Sequence, residues 1–159
     1  MEEILEILAG NNRLTNEQIA VMLGKSIKEV EEAIKNYEKE KVIVGYSTLI
    51  NWEKTSKEVV TALIEVKVTP QRGEGFDKVA ERIYRFPEVK ACYLMSGGFD
   101  LTVIVEGKTM KEVALFVAEK LAPLESVLST GTHFVLKRYK EEGITFEERE
   151  KDDREAVIL

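Results

Sequence analysis

The chain has 159 residues, 44% of them apolar, and a formal net charge of −6, which allows one domain or two small ones with real cores. Its longest apolar runs, such as 59–64, fall far short of the roughly 20 residues that a membrane span needs, and the acidic start Met1-Glu2-Glu3 is unlike a signal peptide. One cysteine, Cys92, and one histidine, His133, exclude an intramolecular disulfide and a four-ligand Cys/His zinc site, so a cytoplasmic protein without a metal cofactor or membrane association is expected.

Ile4, Leu5 and Leu8 form a short apolar stripe at helical spacing that ends at Gly10-Asn11-Asn12. Thr15-Asn16-Glu17-Gln18 has the form of a capping box, and Ile19, Ala20 and Leu23 then share one helical face up to Gly24. Ser26-Ile27-Lys28-Glu29 is a second capping box, followed by Val30, Ala33, Ile34 and Tyr37 at i, i+3, i+4 and i+7. Two capped helices joined only by Gly24-Lys25-Ser26 predict a helix-turn-helix, with the small Ala20 letting the helices approach closely. Val42-Ile43-Val44-Gly45-Tyr46 is β-branched and aromatic, and reads as a strand or short wing beside the bundle.

Residues 51–58 lack periodicity and form the candidate linker. Beyond it, Val60, Ala62, Ile64, Val66 and Val68 alternate with more polar neighbours up to Pro70, which predicts a strand with one core face. Phe76, Val79, Ala80, Ile83 and Tyr84 return to helical spacing before Phe86-Pro87. Val89, Ala91, Tyr93 and Met95 alternate again, as do Leu101, Val103 and Val105, with Ser96-Gly97-Gly98-Phe99-Asp100 as the hairpin loop between them. Met110, Val113, Ala114, Val117 and Leu121 predict a second helix before Pro123, and a last strand surrounds Thr132, Phe134 and Leu136.

The expected organisation is therefore α+β: a winged helix-turn-helix over 1–50, a linker over 51–58, a ferredoxin-like βαββαβ domain over 59–139, and an acidic tail over 140–159 that is partly disordered or depends on a partner subunit. Both helices would cover one face of the sheet. Val59, Leu63, Leu94 and Ile104 are candidates for the other face, which an isologous dimer would bury sheet against sheet.

This order of elements, with Leu23-Gly24-Lys25-Ser26 at the turn, Val42 to Tyr46 after the third helix, Ser96 to Leu101 in the hairpin and Thr130 to Lys137 at the last strand, resembles the Lrp/AsnC family, the feast/famine regulators of bacteria and archaea. The resemblance covers about residues 3–140. It implies a transcription regulator that binds double-stranded operator DNA, responds to an amino acid at subunit interfaces, and forms a homodimer that assembles into tetramers or octamers. It also implies Gly97, Gly98, Phe99, Asp100 and Leu101 as ligand contacts, with Thr130 and Thr132 as neighbours. Glycines let backbone N–H groups turn toward a carboxylate, and Asp100 can accept from an ammonium group. The plainer alternative is a turn that Asp100 caps.

In the helix-turn-helix reading, Arg13, Lys25, Ser26, Lys28, Lys35 and Lys41 supply the DNA contacts. Charge runs against this. Residues 1–50 sum to −3, residues 51–139 to +1 and residues 140–159 to −4, and the third helix carries Glu29, Glu31 and Glu32 on its polar side. Family members commonly place arginines where this chain has Glu32 and Ala33. Three readings stay open: weak heads summed over an oligomer, a head that pairs with a more basic paralogue in hetero-oligomers, and an amino-acid sensor with a vestigial head. His133 reads as a structural hydrogen-bonder and Cys92 as a packed thiol, while Trp52 either staples the two domains or covers a sheet edge. The sequence has no phosphate loop, no carboxylate–histidine cluster and no nucleophile motif, so an enzyme is not expected.

Overall fold

A computed structural model describes residues 2–69, 72–73 and 75–146, and these divide into two compact units after Ile50. The first unit contains α1 (Glu3–Gly10), α2 (Asn16–Leu23) and α3 (Ile27–Lys39). Its core is Ile4, Ile19, Ala20, Val30 and Ala33, with Leu14, Leu23, Ile34 and Tyr37 packed around it, as the helical stripes require. Both expected capping boxes form. Thr15 and Gln18 close the start of α2, and Ser26 and Glu29 close the start of α3.

The ends of α2 and α3 use the same left-handed turn. After α2, Gly24 has φ +62°, the Lys25 N–H donates to the Ala20 carbonyl at 3.0 Å and the Gly24 N–H to the Val21 carbonyl at 3.3 Å. After α3, Lys41 has φ +59°, and its N–H and that of Val42 donate to the Glu38 and Tyr37 carbonyls at 3.2 and 2.9 Å. Both are Schellman motifs, one built on glycine and one on lysine. The second explains why no strand forms at 42–46. The Val42 and Ile43 N–H groups turn back onto Tyr37, and 42–46 joins no ladder among the described residues, because a β-branched sequence makes a strand only when a neighbour supplies hydrogen bonds.

The second unit begins with a 3-10 turn, Trp52–Lys54, inside the segment read as a linker. It continues with β1 (Val60–Val68), α4 (Gly75–Tyr84), β2 (Val89–Leu94), β3 (Leu101–Gly107), α5 (Met110–Phe116) extended by a π-helical turn over Val117–Leu121, and β4 (Val127–Phe134). The sheet order is β2-β3-β1-β4, antiparallel throughout, the ferredoxin-like arrangement expected from the element order. Ala62, Ile64 and Val66 of β1 and Leu101, Val103 and Val105 of β3 are fully buried in one core with Val79, Ile83, Val113, Phe116 and Leu121 of the helices.

The other face carries Leu63 paired with Ile104, both half-buried, as the alternation predicts. Strand β2 departs from it. The register shifts between Val89 and Ala91, so Cys92 pairs with Val103 on the helix-covered face and Tyr93 with Thr102 on the open one. A one-residue slip reverses which side chains face the core, so Ala91 and Tyr93 point away from it, and Leu94, opposite Leu101, does not share the face of Leu63 and Ile104. Leu136 lies beyond β4 and is 85% exposed rather than part of the last strand.

Part of the expected tail is ordered. Strands β5 (Lys140–Glu141) and β6 (Ile144–Thr145) form a hairpin around Glu142 and Gly143, both with positive φ, as two-residue hairpin turns prefer. The rest of that tail lies outside the described residues.

The two Schellman turns yield a paired test. Gly24→Ala places a Cβ in the left-handed region and is expected to cost about 1 kcal/mol, whereas Lys41→Gly relieves the same strain and is expected to stabilise by about 0.5 kcal/mol after the added unfolded-state entropy of glycine. Urea unfolding of the two variants measures both signs.

Candidate functional site

The first unit places its candidate DNA contacts around α2, the turn and α3. Ser26 is committed to the cap: its Oγ accepts from the Glu29 N–H at 3.3 Å and donates to Glu29 Oε2 at 2.7 Å, while the Ser26 N–H donates to the same oxygen at 2.9 Å. These bonds from Ser26 hold the Glu29 carboxyl below the usual carboxylate range. A carboxyl depressed in the folded state contributes its stability above the ordinary value, and that contribution is lost as pH falls toward the lowered one. Lys25 is half-buried, and its N–H closes the α2 Schellman turn.

Lys28, Glu32 and Lys35 follow one another at i, i+4 and i+7 on the exposed side of α3, and the Lys28 ammonium lies 3.9 Å from Glu32. Arg13 is exposed before α2, with its N–H on Asn11 Oδ1, and Lys41 is exposed after α3. The exposed face therefore has cations, one of them shared with a glutamate. Apolar residues missed by the sequence reading also lie here. Val21 and Met22 are 83% and 59% exposed, and Ile27 opens α3 in the open as well. Their signal was their position off the Ile19–Leu23 stripe.

In the second unit the hairpin loop lies at the β1 end that carries Val66 and Val68. The Asp100 N–H donates to the Val66 carbonyl at 3.1 Å, Asp100 Oδ2 accepts from the Val68 N–H at 2.8 Å, and the Met95 N–H donates to the Asp100 carbonyl at 2.8 Å. On the other side of β1, Thr130 pairs with Val66 and Thr132 with Ile64, both half-buried on edge strand β4. Asp100 from the β3 side and Thr130 from the β4 side thus meet Val66 across β1, and Thr132 lies one pleat further in. Ser126, just before the Val127 that pairs with Val68, is 5% exposed, and its Oγ has no hydrogen-bond partner among the described residues; no motif marked it.

Ser96, Gly97 and Gly98 are exposed and Phe99 is half-buried, but the Leu101 side chain is wholly buried in the core, so only its backbone remains to meet a ligand. Gly97 has φ +136°, which favours glycine, whereas Gly98 does not need the left-handed region, and no atom lies within 4 Å of a Cβ built at either. The arrangement offers a carboxylate, threonine hydroxyls and open backbone toward one end of the sheet, on the two sides of β1, with chemistry for binding rather than turnover. Burial pushes the Cys92 thiol up, away from the nucleophilic thiolate. His133 Nε2 lies 3.7 Å from Glu65 Oε1 on the open face of the sheet.

Because Asp100 carries the Val68 N–H, Asp100→Ala is expected to lower unfolding stability by about 1–3 kcal/mol, the cost of leaving a part-buried donor unpaired. Asp100→Asn keeps an acceptor and is expected to restore most of it. Thermal or urea unfolding of the two variants is the measurement.

Comparison with known proteins accounts for both units. The family model of the Lrp/AsnC ligand binding domain matches residues 61–145, and that of a winged helix-turn-helix DNA-binding domain matches residues 2–44. The chain is 55% identical over 156 residues, 98% of its own length and 94% of the relative's, to an uncharacterized HTH-type transcriptional regulator, YugG, of Bacillus subtilis. A transcriptional regulator of Neisseria meningitidis solved as an L-Met complex superposes with a TM-score of 0.71 at 25% identity, over 87% of this chain and 88% of that one. The fold is also that of a feast or famine regulatory protein from M. tuberculosis complexed with L-methionine, at a TM-score of 0.71 and 21% identity, over 87% and 90% of the two chains. With both family models in chain order and a relative this similar over nearly its full length, the chain belongs to the Lrp/AsnC family, a transcriptional regulator with a DNA-binding helix-turn-helix and a ligand-binding domain, and not an enzyme.

Proposed function

We propose that the chain binds operator DNA through α3 and that an amino acid with an apolar side chain, methionine first among them, binds at the Asp100–Thr130 end of the sheet, where a second subunit completes the site. The placement of Asp100 and Thr130 on the two sides of Val66, at the end of β1 beside a glycine backbone open to approach, carries this reading. The methionine complexes of the two solved relatives support the ligand class. Only the second oxygen of Asp100 is left to meet an ammonium group, since Oδ2 holds Val68, so Asp100 acts in both the turn and the site.

Two features favour a homodimer as the unit that assembles further. The open sheet face presents half-buried Leu63 and Ile104 with exposed Tyr93, a surface that a second sheet would cover. Residues 44–50 join no helix or ladder, with Val44, Tyr46 and Ile50 exposed and no described backbone group paired with them, which suits a strand completed by another chain. The division into a head over 1–50, a connection over 51–58, an effector domain over 59–139 and a tail from 140 belongs to this proposal, as does a cytoplasmic location.

The second reading, a head that does not bind DNA and acts through a more basic paralogue, is favoured by the Lys28–Glu32 pair and by Glu29 and Glu31 nearby, since carboxylates close to phosphates cost Coulomb energy. A shift assay on the protein's own upstream region separates the two. Operator binding predicts retardation at low salt that weakens steeply as salt rises, and about threefold or more tighter binding for Glu32→Gln, which removes a negative charge and frees Lys28. No retardation at any salt, with or without amino acids, leaves the paralogue reading. For the ligand, a melting-temperature screen over the proteinogenic amino acids is expected to find at least one that raises the transition, and Gly98→Val, which fills the open loop without strain, is expected to remove that rise while leaving unliganded stability unchanged.

A further inference from the structure

A recess in the ligand-binding unit lies away from the hairpin. It has a volume of about 620 Å³, within the size range of small-molecule sites, and is bounded by residues 51–58 on one side, by the start of β1 beneath, and by Val135 to Arg138 and Phe146 on the other. Its walls are built rather than incidental. Asn51 Oδ1 caps the 3-10 turn through the Glu53 N–H at 3.2 Å, and the Thr55 N–H and hydroxyl close on the Trp52 carbonyl at 2.9 and 2.8 Å. The Val135 N–H donates to the Thr61 carbonyl at 2.9 Å, and the Phe146 N–H to that of Tyr139 at 3.0 Å, so the β5–β6 hairpin fixes the far wall.

The charges on these walls differ in how they are compensated. Arg138 is occupied: its guanidinium donates to Thr61 Oγ1 at 2.5 Å and to Glu141 Oε2 at 3.2 Å and lies 3.6 Å from Glu106. The Lys108 ammonium, at the end of β3, meets no carboxylate among the described residues, and neither Glu53 nor Glu58 meets a described cation. Lys57 lies over the Trp52 ring at 4.1 Å and makes no ion pair there. Uncompensated charges of both signs thus face a space whose remaining lining includes the Trp52 ring, Val60, Val135 and Phe146.

We propose that this cavity is a second ligand site, for a small zwitterion with an apolar side chain, its carboxylate met by Lys108 and its ammonium by Glu58 or Glu53. A ligand of one charge engages only one of these groups, and a purely apolar one engages neither. The site is independent of the hairpin. Asn51 follows directly on Ile50, the last residue of the head, so an occupant holds the first turn of the connection between the two units.

Trp52 is the only tryptophan, so its emission reports on this cavity. Full-length protein is titrated with the apolar amino acids to about 10 mM, with acetate and butylamine as single-charge controls, a range that reaches sites with millimolar Kd. The expected result is a saturable change in Trp52 emission with at least one amino acid and with neither control, weakened about tenfold or more by Lys108→Ala and by Glu58→Gln, both exposed positions, and unaltered by Gly98→Val. No saturable change overturns the proposal. So does a change that survives both cavity variants, or one that Gly98→Val removes; the last of these leaves the hairpin site standing. A melting shift lost in Gly98→Val while Trp52 stays silent likewise keeps the hairpin site and rejects the cavity.

Discussion

The ligand-binding unit depends on how β1 ends. Its pairing with β3 stops at Val66 opposite Leu101, and its pairing with β4 changes register between Lys67 and Val68. The Val68 N–H has therefore run out of strand on the β3 side, and the carboxylate of Asp100 takes the place of the missing carbonyl. A part-buried amide left without an acceptor would cost a sizeable share of a small domain's net stability. The hairpin loop is consequently held to the end of the central strand, across which Thr130 of β4 pairs with Val66.

The head is arranged by a different economy. Its helices are short, and short helices are marginal alone, so their ends matter as much as their faces. The left-handed exit at Gly24 and the capping box of Ser26 and Glu29 bring the chain from α2 into α3 with only three residues between them. The groups used for this are the same ones a nucleic-acid surface would want free. Ser26 gives its hydroxyl to Glu29 and Lys25 gives its amide to the turn, which leaves Lys28, Lys35, Arg13 and Lys41 as the basic groups around a helix that also carries glutamates.

Much of this was legible in the residues, for physical reasons that also explain the failures. Helical stripes in α1 to α4 and alternation in β1 and β3 report burial on one side, and burial is what apolar spacing encodes. In β2 the same alternation misled, because a register shift at Val89 and Ala91 leaves no mark in composition and moves Cys92 to the core and Tyr93 to the open face. Residues 42–46 join no ladder among the described residues because strand formation belongs to a pair of segments, and a single segment carries only half of the information. Glu142-Gly143 was a turn signal overlooked inside an acidic run. At the candidate site, the loop could be read from Ser96 to Asp100, whereas the burial of Leu101, the bond from Val68 to Asp100 and the orphan hydroxyl of Ser126 depend on contacts between residues distant in sequence.

The two adjacent glycines of the hairpin differ in a way that bears on how such regulators diversify. Gly97 is held by its own backbone angle, and almost any replacement there strains the turn. Gly98 is under no such constraint and borders empty space. Over many generations the first position is thus tied to the integrity of the fold, while the second can exchange side chains at little thermodynamic penalty. In the proposed ligand site, preference would then drift at one residue without dragging stability along, so that duplicated copies of the gene would come to answer different signals from the same scaffold.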